Sequence, residues 1–153
     1  MLWAYQNCDN QTIINIENQH LIIKENDLKF KYWLDRYKYF DHYTEYSKDY
    51  YFQQASKFLT KIDNFLKDNT YIMGNKLQLV DLAIFPLIRQ FANVDLSHFE
   101  KKFYNITHWY LNLNNSNRFK YIMKKYKFWS KGNDPLIINF NPTSPITKCK
   151  INI

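Results

Sequence analysis

The sequence predicts an all-α fold, an antiparallel bundle of about five to seven helices around a buried, kinked central helix. Three observations lead to this class. Apolar residues recur at helical spacing in consecutive segments, no segment sustains the period-two alternation of a strand, and the connections are short. At 153 residues, the chain has the length of one domain with its own core.

The first segments are short. The chain opens with the apolar and aromatic run Met1-Leu2-Trp3-Ala4-Tyr5, and residues 13–23 predict a short helix. Asp27 is a suitable N-cap for a helix over residues 27–39, because its carboxylate can accept hydrogen bonds from the free N–H groups of a first turn. The apolar residues of that helix follow at helical spacing: Phe30, Trp33, Leu34 and Tyr37.

Residues 45–67 predict the longest helix. Its apolar residues form a single stripe, which is typical of an amphipathic helix that packs on a core: Tyr51, Ala55, Phe58, Leu59, Ile62, Phe65 and Leu66.

Residues 79–94 predict the central helix. Their only polar members are Asp81, Arg89, Gln90 and Asn93, so we expect the helix to be buried nearly all round. It is too short to cross a bilayer, and Pro86 inside it should produce a kink because proline lacks a backbone donor.

The start of the central helix has a recognisable capping pattern. With Gln78 as the N-cap, Asp81 is residue N3, where its carboxylate can reach back to the backbone N–H of Gln78. Leu77 and Leu82 then take the positions of a hydrophobic staple. Glutamine is a poor N-cap, so we expect Gln78→Ser to stabilise the protein.

Three further segments follow the central helix. Residues 96–102 predict a helical turn, and residues 106–113 repeat the helical spacing of apolar side chains. Ser116 should cap a last helix with Phe119, Ile122, Met123 and Tyr126 on its apolar face. From residue 130, Pro, Gly and polar residues predict an irregular tail. The expected organisation is a helical domain over residues 1–129 and a tail over residues 130–153.

The net charge of +7 is a feature of the C-terminal third. Residues 101–133 hold eight Lys or Arg and no acid, whereas the rest of the chain has 13 basic and 14 acidic residues. Interleaved aromatic residues could stack on bases, but 18 of the 21 cations are Lys, which is more typical of a solvated face. We therefore expect no nucleic-acid partner.

The sequence does not predict a metal site or a disulfide framework. The two cysteines, Cys8 and Cys149, lie near opposite ends, and the four histidines are scattered without ligand spacing. The sequence shows neither a long apolar run nor the pattern of a signal peptide. We expect a cytoplasmic protein that is not associated with a membrane.

The central segment resembles a known family. The run Gly74-x-x-x-Gln78-Leu79-Val80-Asp81-Leu82-Ala83-Ile84-Phe85-Pro86 is similar to the core helix of the C-terminal, all-helical domain of glutathione S-transferases. That family usually has Ser or Thr where this chain has Gln78. Residues 34–39 and 89–95 are similar to a bacterial branch of the family, and the similarity in spacing extends over about residues 1–136.

The resemblance implies half of a two-part enzyme. In the family, a thioredoxin-like domain binds glutathione and activates its thiol, and the helical domain supplies one wall of the pocket for the hydrophobic substrate. We expect this chain to lack the thioredoxin-like domain. The resemblance therefore transfers no catalytic or cofactor-binding residue, and it implies a folding role for Asp81.

We therefore expect a glutathione S-transferase-like protein that is inactive alone, and whether it counts as an enzyme stays open. It would bind no cofactor alone, and glutathione only with a thioredoxin-like domain on a separate chain. That domain should cover Trp3 and Tyr5, and a homodimer is a second expected assembly. The alternative is a protein-interaction or RNA-contacting module, because similar helical domains occur in translation complexes.

Overall fold

Helices account for most of the residues that the computed structural model describes, which are 16–126, 128 and 130–133. We number them in chain order: α1 Ile16–Glu25, α2 Lys31–Lys38, α3 Lys48–Phe65, α4 Leu79–Ala92, α5 Leu96–Lys102, α6 Tyr104–Asn115 and α7 Asn117–Ile122. A π-helix, Asn26–Phe30, joins α1 to α2, and a 3₁₀ turn, Phe40–His42, follows α2. The prediction of an all-α protein is confirmed.

The prediction that Asp27 begins a helix is wrong. The backbone is already helical at Glu25, with φ −65° and ψ −40°, and the chain continues through the π-helix into α2. The buried residues Ile22, Asn26, Phe30 and Leu34 are spaced by four, and this spacing drifts around an α-helix of about 3.6 residues per turn. The wider π turn absorbs the drift and keeps these residues on the buried face.

Helix α3 is shorter than predicted because its cap lies inside the predicted range. The hydroxyl of Ser47 accepts a hydrogen bond from the backbone N–H of Tyr50 at 3.2 Å, so the helix begins at Lys48. Most of the predicted stripe is buried, but Phe65 is 36% exposed and the prediction that it joins the core is wrong.

Helix α4 lies at the centre of the described structure, where it packs against α1, α2, α5 and α6. The ring of Phe91 shows this position best. It lies within 4.9 to 6.3 Å, centroid to centroid, of the rings of Phe30, Tyr37, Phe52 and Phe99, which come from four different elements.

The prediction that α4 is buried nearly all round is only partly correct. Leu79, Ile84 and Ile88 are buried, but Leu82 is 43% exposed and Pro86 is also exposed. Leu82 and Pro86 are four residues apart, so both lie on the open side of α4. Pro86 also has no N–H to donate to the carbonyl of Leu82.

Two of the last helices begin at side-chain caps, of which Ser116 is the predicted one and Asp95 was not predicted. Asp95 accepts a hydrogen bond from the N–H of His98 at 2.9 Å, and the Ser116 hydroxyl accepts from the N–H of Phe119 at 3.2 Å. The predicted apolar face of the last helix is wrong beyond Phe119, because Ile122 is 72% exposed and the helix ends there. Met123 and Tyr126 follow the helix and are exposed as well.

Three predictions lie largely outside the described residues. They concern the aromatic start with Trp3 and Tyr5, the tail over residues 130–153, and the boundary between domain and tail. Among the described helices, none is both long enough and apolar enough to cross a membrane.

Candidate functional site

The carboxylate of Asp81 is fully buried at the start of α4 and accepts hydrogen bonds from three directions. Its Oδ2 accepts from the backbone N–H of Gln78 at 2.9 Å, as expected for an acid at N3. Its Oδ1 accepts from the backbone N–H of Ile72 at 3.0 Å and from the indole N–H of Trp109 at 2.9 Å. One side chain thus joins the preceding loop, the start of α4, and α6.

Burial raises the pKa of Asp81, and the N–H donors of Ile72, Gln78 and Trp109 act in the opposite direction. Each of these partners is a donor, so a proton on either oxygen would compete with a hydrogen bond that the carboxylate already accepts. The carboxylate is closed to solvent and lines none of the depressions described below. Its geometry is that of a structural group.

Gln78 stands at the N-cap with extended backbone, φ −120° and ψ 171°, and forms a capping box with Asp81. A second cap comes from another helix. Gln19 of α1 accepts a hydrogen bond from the backbone N–H of Val80 at 3.0 Å, and its amide nitrogen donates to Gln78 Oε1 at 3.4 Å. The weak capping ability predicted for Gln78 is therefore supplemented by Gln19.

The capping pattern of α4 does not point to Gln19, because the two sites are 61 residues apart in the chain. A weaker signal was available. Gln19 lies three residues before Ile22 and shares its buried face, with no exposed surface. A polar residue on an apolar helix face needs a partner elsewhere in the fold.

The loop before α4 depends on Gly74. Tyr71 and Gly74 exchange backbone hydrogen bonds of 2.8 and 3.1 Å, and the φ of Gly74 is +119°, a conformation that favours glycine. This turn presents the Ile72 N–H to Asp81, and it places Tyr71 beside the open side of α4.

A depression that we call the apolar groove runs along the open side of α4, between that helix, the preceding loop, and helices α6 and α7. Its volume is about 580 Å³, within the range of small-molecule sites. Its lining is mainly apolar, chiefly Leu77, Leu82, Phe85, Pro86, Leu113 and Phe119. The two residues of the predicted hydrophobic staple thus both line this groove.

A second depression, the polar pocket, lies between the residues that follow α3 and one side of α6, from Asn105 to Asn112. Its volume is about 280 Å³. The polar part of its lining is Asn69, Thr70, Asn105, His108 and Asn112.

The basic side chains of residues 101–133, which we call the basic segment, are spread over the surface. Lys101, Lys102 and His98 border a shallow depression beside α5, and the ammonium of Lys102 lies 4.6 Å from the ring centroid of Phe52. The described basic residues of this segment are all exposed. They are Lys101, Lys102, Arg118, Lys120, Lys124, Lys125 and Lys131.

The described residues that line these three depressions form no catalytic arrangement that the geometry identifies. Within residues 16–126, 128 and 130–133, no three His, Cys, Asp or Glu side chains are grouped to hold a metal ion. The Ser116 hydroxyl at the groove edge donates to the carbonyl of Leu113 at 2.7 Å and accepts from Phe119 N–H, so its single donor hydrogen is already used.

The comparisons with known proteins agree with this helical architecture. No curated protein and no solved structure matches the chain. A family model, that of the glutathione S-transferase C-terminal domain, matches residues 22–117, which run from α1 into α7 and include α4 with its cap. The chain therefore belongs to the family of glutathione S-transferase C-terminal domains.

Proposed function

We propose that this chain supplies the wall for an apolar ligand in a glutathione S-transferase-like protein, and that the wall is the apolar groove. The observation that carries the proposal is the open side of α4. There Leu82 is 43% exposed on a helix whose opposite side packs into the core, and Ile122, 72% exposed, lines the same groove. Clustered apolar side chains at a surface typically mark a binding site.

The mainly apolar lining of the groove supports a binding role. A glutathione thiolate needs a donor or a cation directed at its sulfur. The Ser116 hydroxyl already donates to the carbonyl of Leu113, whereas Tyr71 and Arg118 also line the groove. We assign thiol activation to a thioredoxin-like domain, and the next assay tests whether this chain performs it alone. A homodimer and a cytoplasmic location also remain predictions.

A conjugation assay tests whether this chain only binds the apolar ligand while a thioredoxin-like domain activates glutathione. The purified chain is mixed with glutathione and 1-chloro-2,4-dinitrobenzene, alone and with a separately expressed thioredoxin-like domain. We expect no conjugation above the uncatalysed rate for the chain alone and measurable conjugation with the added domain. Conjugation by the chain alone that is lost in Tyr71→Phe would overturn the proposal, since Tyr71 is the tyrosine in the groove.

A binding assay tests the groove itself. N-phenyl-1-naphthylamine, an uncharged apolar fluorophore, should bind the wild type and bind Leu82→Ser at least about threefold more weakly, because Leu82 offers its exposed side chain to the groove. Leu111→Ser is the matched control, since Leu111 is 38% exposed and lines neither the groove nor the polar pocket. Equal losses in both variants would remove the groove as the site.

A further inference from the structure

The apolar groove and the polar pocket meet at one residue. Asn112 of α6 belongs to the lining of both, and the neighbouring residues Thr70 and Tyr71 line the pocket and the groove respectively. The two depressions are therefore consecutive parts of a single surface, and its polarity changes along α6.

Helical spacing on α6 produces this change. Asn105, His108 and Asn112 are separated by three and four residues, so they share one face of the first turns. Leu113 and Ser116 continue that side of the helix into the groove. A ligand lying along α6 would meet amide and imidazole groups first and apolar side chains afterwards.

The polar pocket offers hydrogen bonds but no formal charge from Lys, Arg, Asp or Glu among its lining residues. Some of its groups are already engaged: Asn105 donates to the Asp63 carboxylate at 3.0 Å, and Asn69 donates to the carbonyl of Phe65 at 2.9 Å. Asn112 is exposed, and its side-chain amide makes no hydrogen bond to any described residue. Its amide can both donate and accept.

We propose that the joined groove and pocket bind an amphipathic molecule with an apolar body and an uncharged head that carries hydroxyl or amide groups. The apolar body lies against Leu82 and Leu113, and Asn112 binds the head. The inference rests on the proposed function, because it specifies the class of ligand that the apolar groove accepts. An uncharged head suits the pocket because none of the described residues that line it is a Lys or Arg that would pair with an anion.

Isothermal calorimetry with two probes of equal chain length tests the head group. The probes are n-octyl β-D-glucoside and n-octyl sulfate, each below its micelle concentration. The glucoside should bind the wild type at least about fivefold more tightly than the sulfate. Asn112→Ala should weaken glucoside binding roughly threefold to tenfold, the range for one hydrogen bond, and should weaken it by a larger factor than it weakens N-phenyl-1-naphthylamine binding. Asn115→Ala, an exposed residue of the same helix outside both depressions, is the matched control.

The outcomes separate the two proposals. If Leu82→Ser weakens fluorophore binding but Asn112→Ala does not alter glucoside binding, the proposed function stands and this inference fails. If Leu82→Ser has no effect on any probe, both fail. Tighter binding of the sulfate that is lost in Arg118→Ala would also overturn the inference, because Arg118 lines the groove and would then hold an anionic head.

Discussion

Two consecutive residues of α4, Asp81 and Leu82, reverse the usual placement of polar and apolar side chains. Asp81 has an acidic side chain and is fully buried, whereas Leu82 is apolar and 43% exposed. The burial of Asp81 is explained by the N–H groups that it satisfies, all of which belong to this chain. No such internal reason exists among the described residues for the exposure of Leu82. The contrast separates a residue that holds the fold from one that is available to a ligand.

The largest expected effect is that of Asp81→Ala. The substitution leaves the N–H groups of Ile72, Gln78 and Trp109 buried without their acceptor, so the free energy of unfolding should fall by about 3 to 5 kcal/mol. Urea unfolding measures it. Asp68→Ala, at an exposed position, is the control and should change the value by less than about 0.5 kcal/mol. A loss below about 1 kcal/mol for Asp81→Ala would contradict its role in joining the three segments.

Gln19→Ala should have the next largest effect. It removes the acceptor of the buried Val80 N–H and the contact with Gln78, and we expect a loss of about 1 to 2 kcal/mol. Gln53→Ala, in an exposed position of α3, is the matched control. Equal unfolding midpoints for the two variants would show that the cap from α1 contributes nothing.

Gln78→Ser tests the same cap. The sequence predicts that this substitution stabilises the protein, but the contact with Gln19 changes that expectation. Serine is the better cap, but it loses the contact with Gln19, so the free energy of unfolding should stay within about 0.5 kcal/mol of the wild type. In the Gln19→Ala variant, the serine hydroxyl can accept from the Val80 N–H, which has lost its acceptor. Gln78→Ser should therefore raise the free energy of unfolding of that variant by about 1 kcal/mol. A double-mutant cycle measures this coupling. Additive effects would argue against a shared cap.

Leu82→Ser should also have only a small effect on stability, below about 0.5 kcal/mol, because the side chain is already partly hydrated. Leu79→Ser, three residues earlier and 4% exposed, should cost about 3 kcal/mol or more. Thermal unfolding of both variants checks the difference. A large loss for Leu82→Ser would mean that the open side of α4 is part of the core.

Local patterns predicted much of the fold because their causes are local. Ser116 caps the helix that follows it, and the stripe of α3 packs inward as its spacing indicates. Contacts between distant segments were not predictable in this way. Among the described helices, α4 and α6 receive caps from other helices. Gln19 of α1 accepts from the N–H of Val80 in α4, and the Asp63 carboxylate of α3 accepts from the N–H of Ile106 in α6 at 2.9 Å.

The open side of α4 was missed for a related reason. An apolar residue has the same appearance in a sequence whether its neighbour belongs to the same chain or is a ligand, so the apolar run predicted burial nearly all round. The failed cap at Asp27 has another cause. A residue such as Asp27 can cap a helix start but does not force the helix to begin there. The four-residue spacing from Ile22 to Leu34 favoured continuation of the helix through a π turn.

The three bonds at Asp81 also bear on the order in which the chain folds. Their donors lie at residues 72, 78 and 109, so the contact at Gln78 can form locally but the contact at Trp109 requires α6 to have docked. Closing the chain between residues 81 and 109 has an entropic cost that only the packed core offsets. Hydrogen exchange at the Trp109 indole N–H should therefore require global unfolding. The backbone N–H groups of α7, an exposed helix, should exchange through local opening.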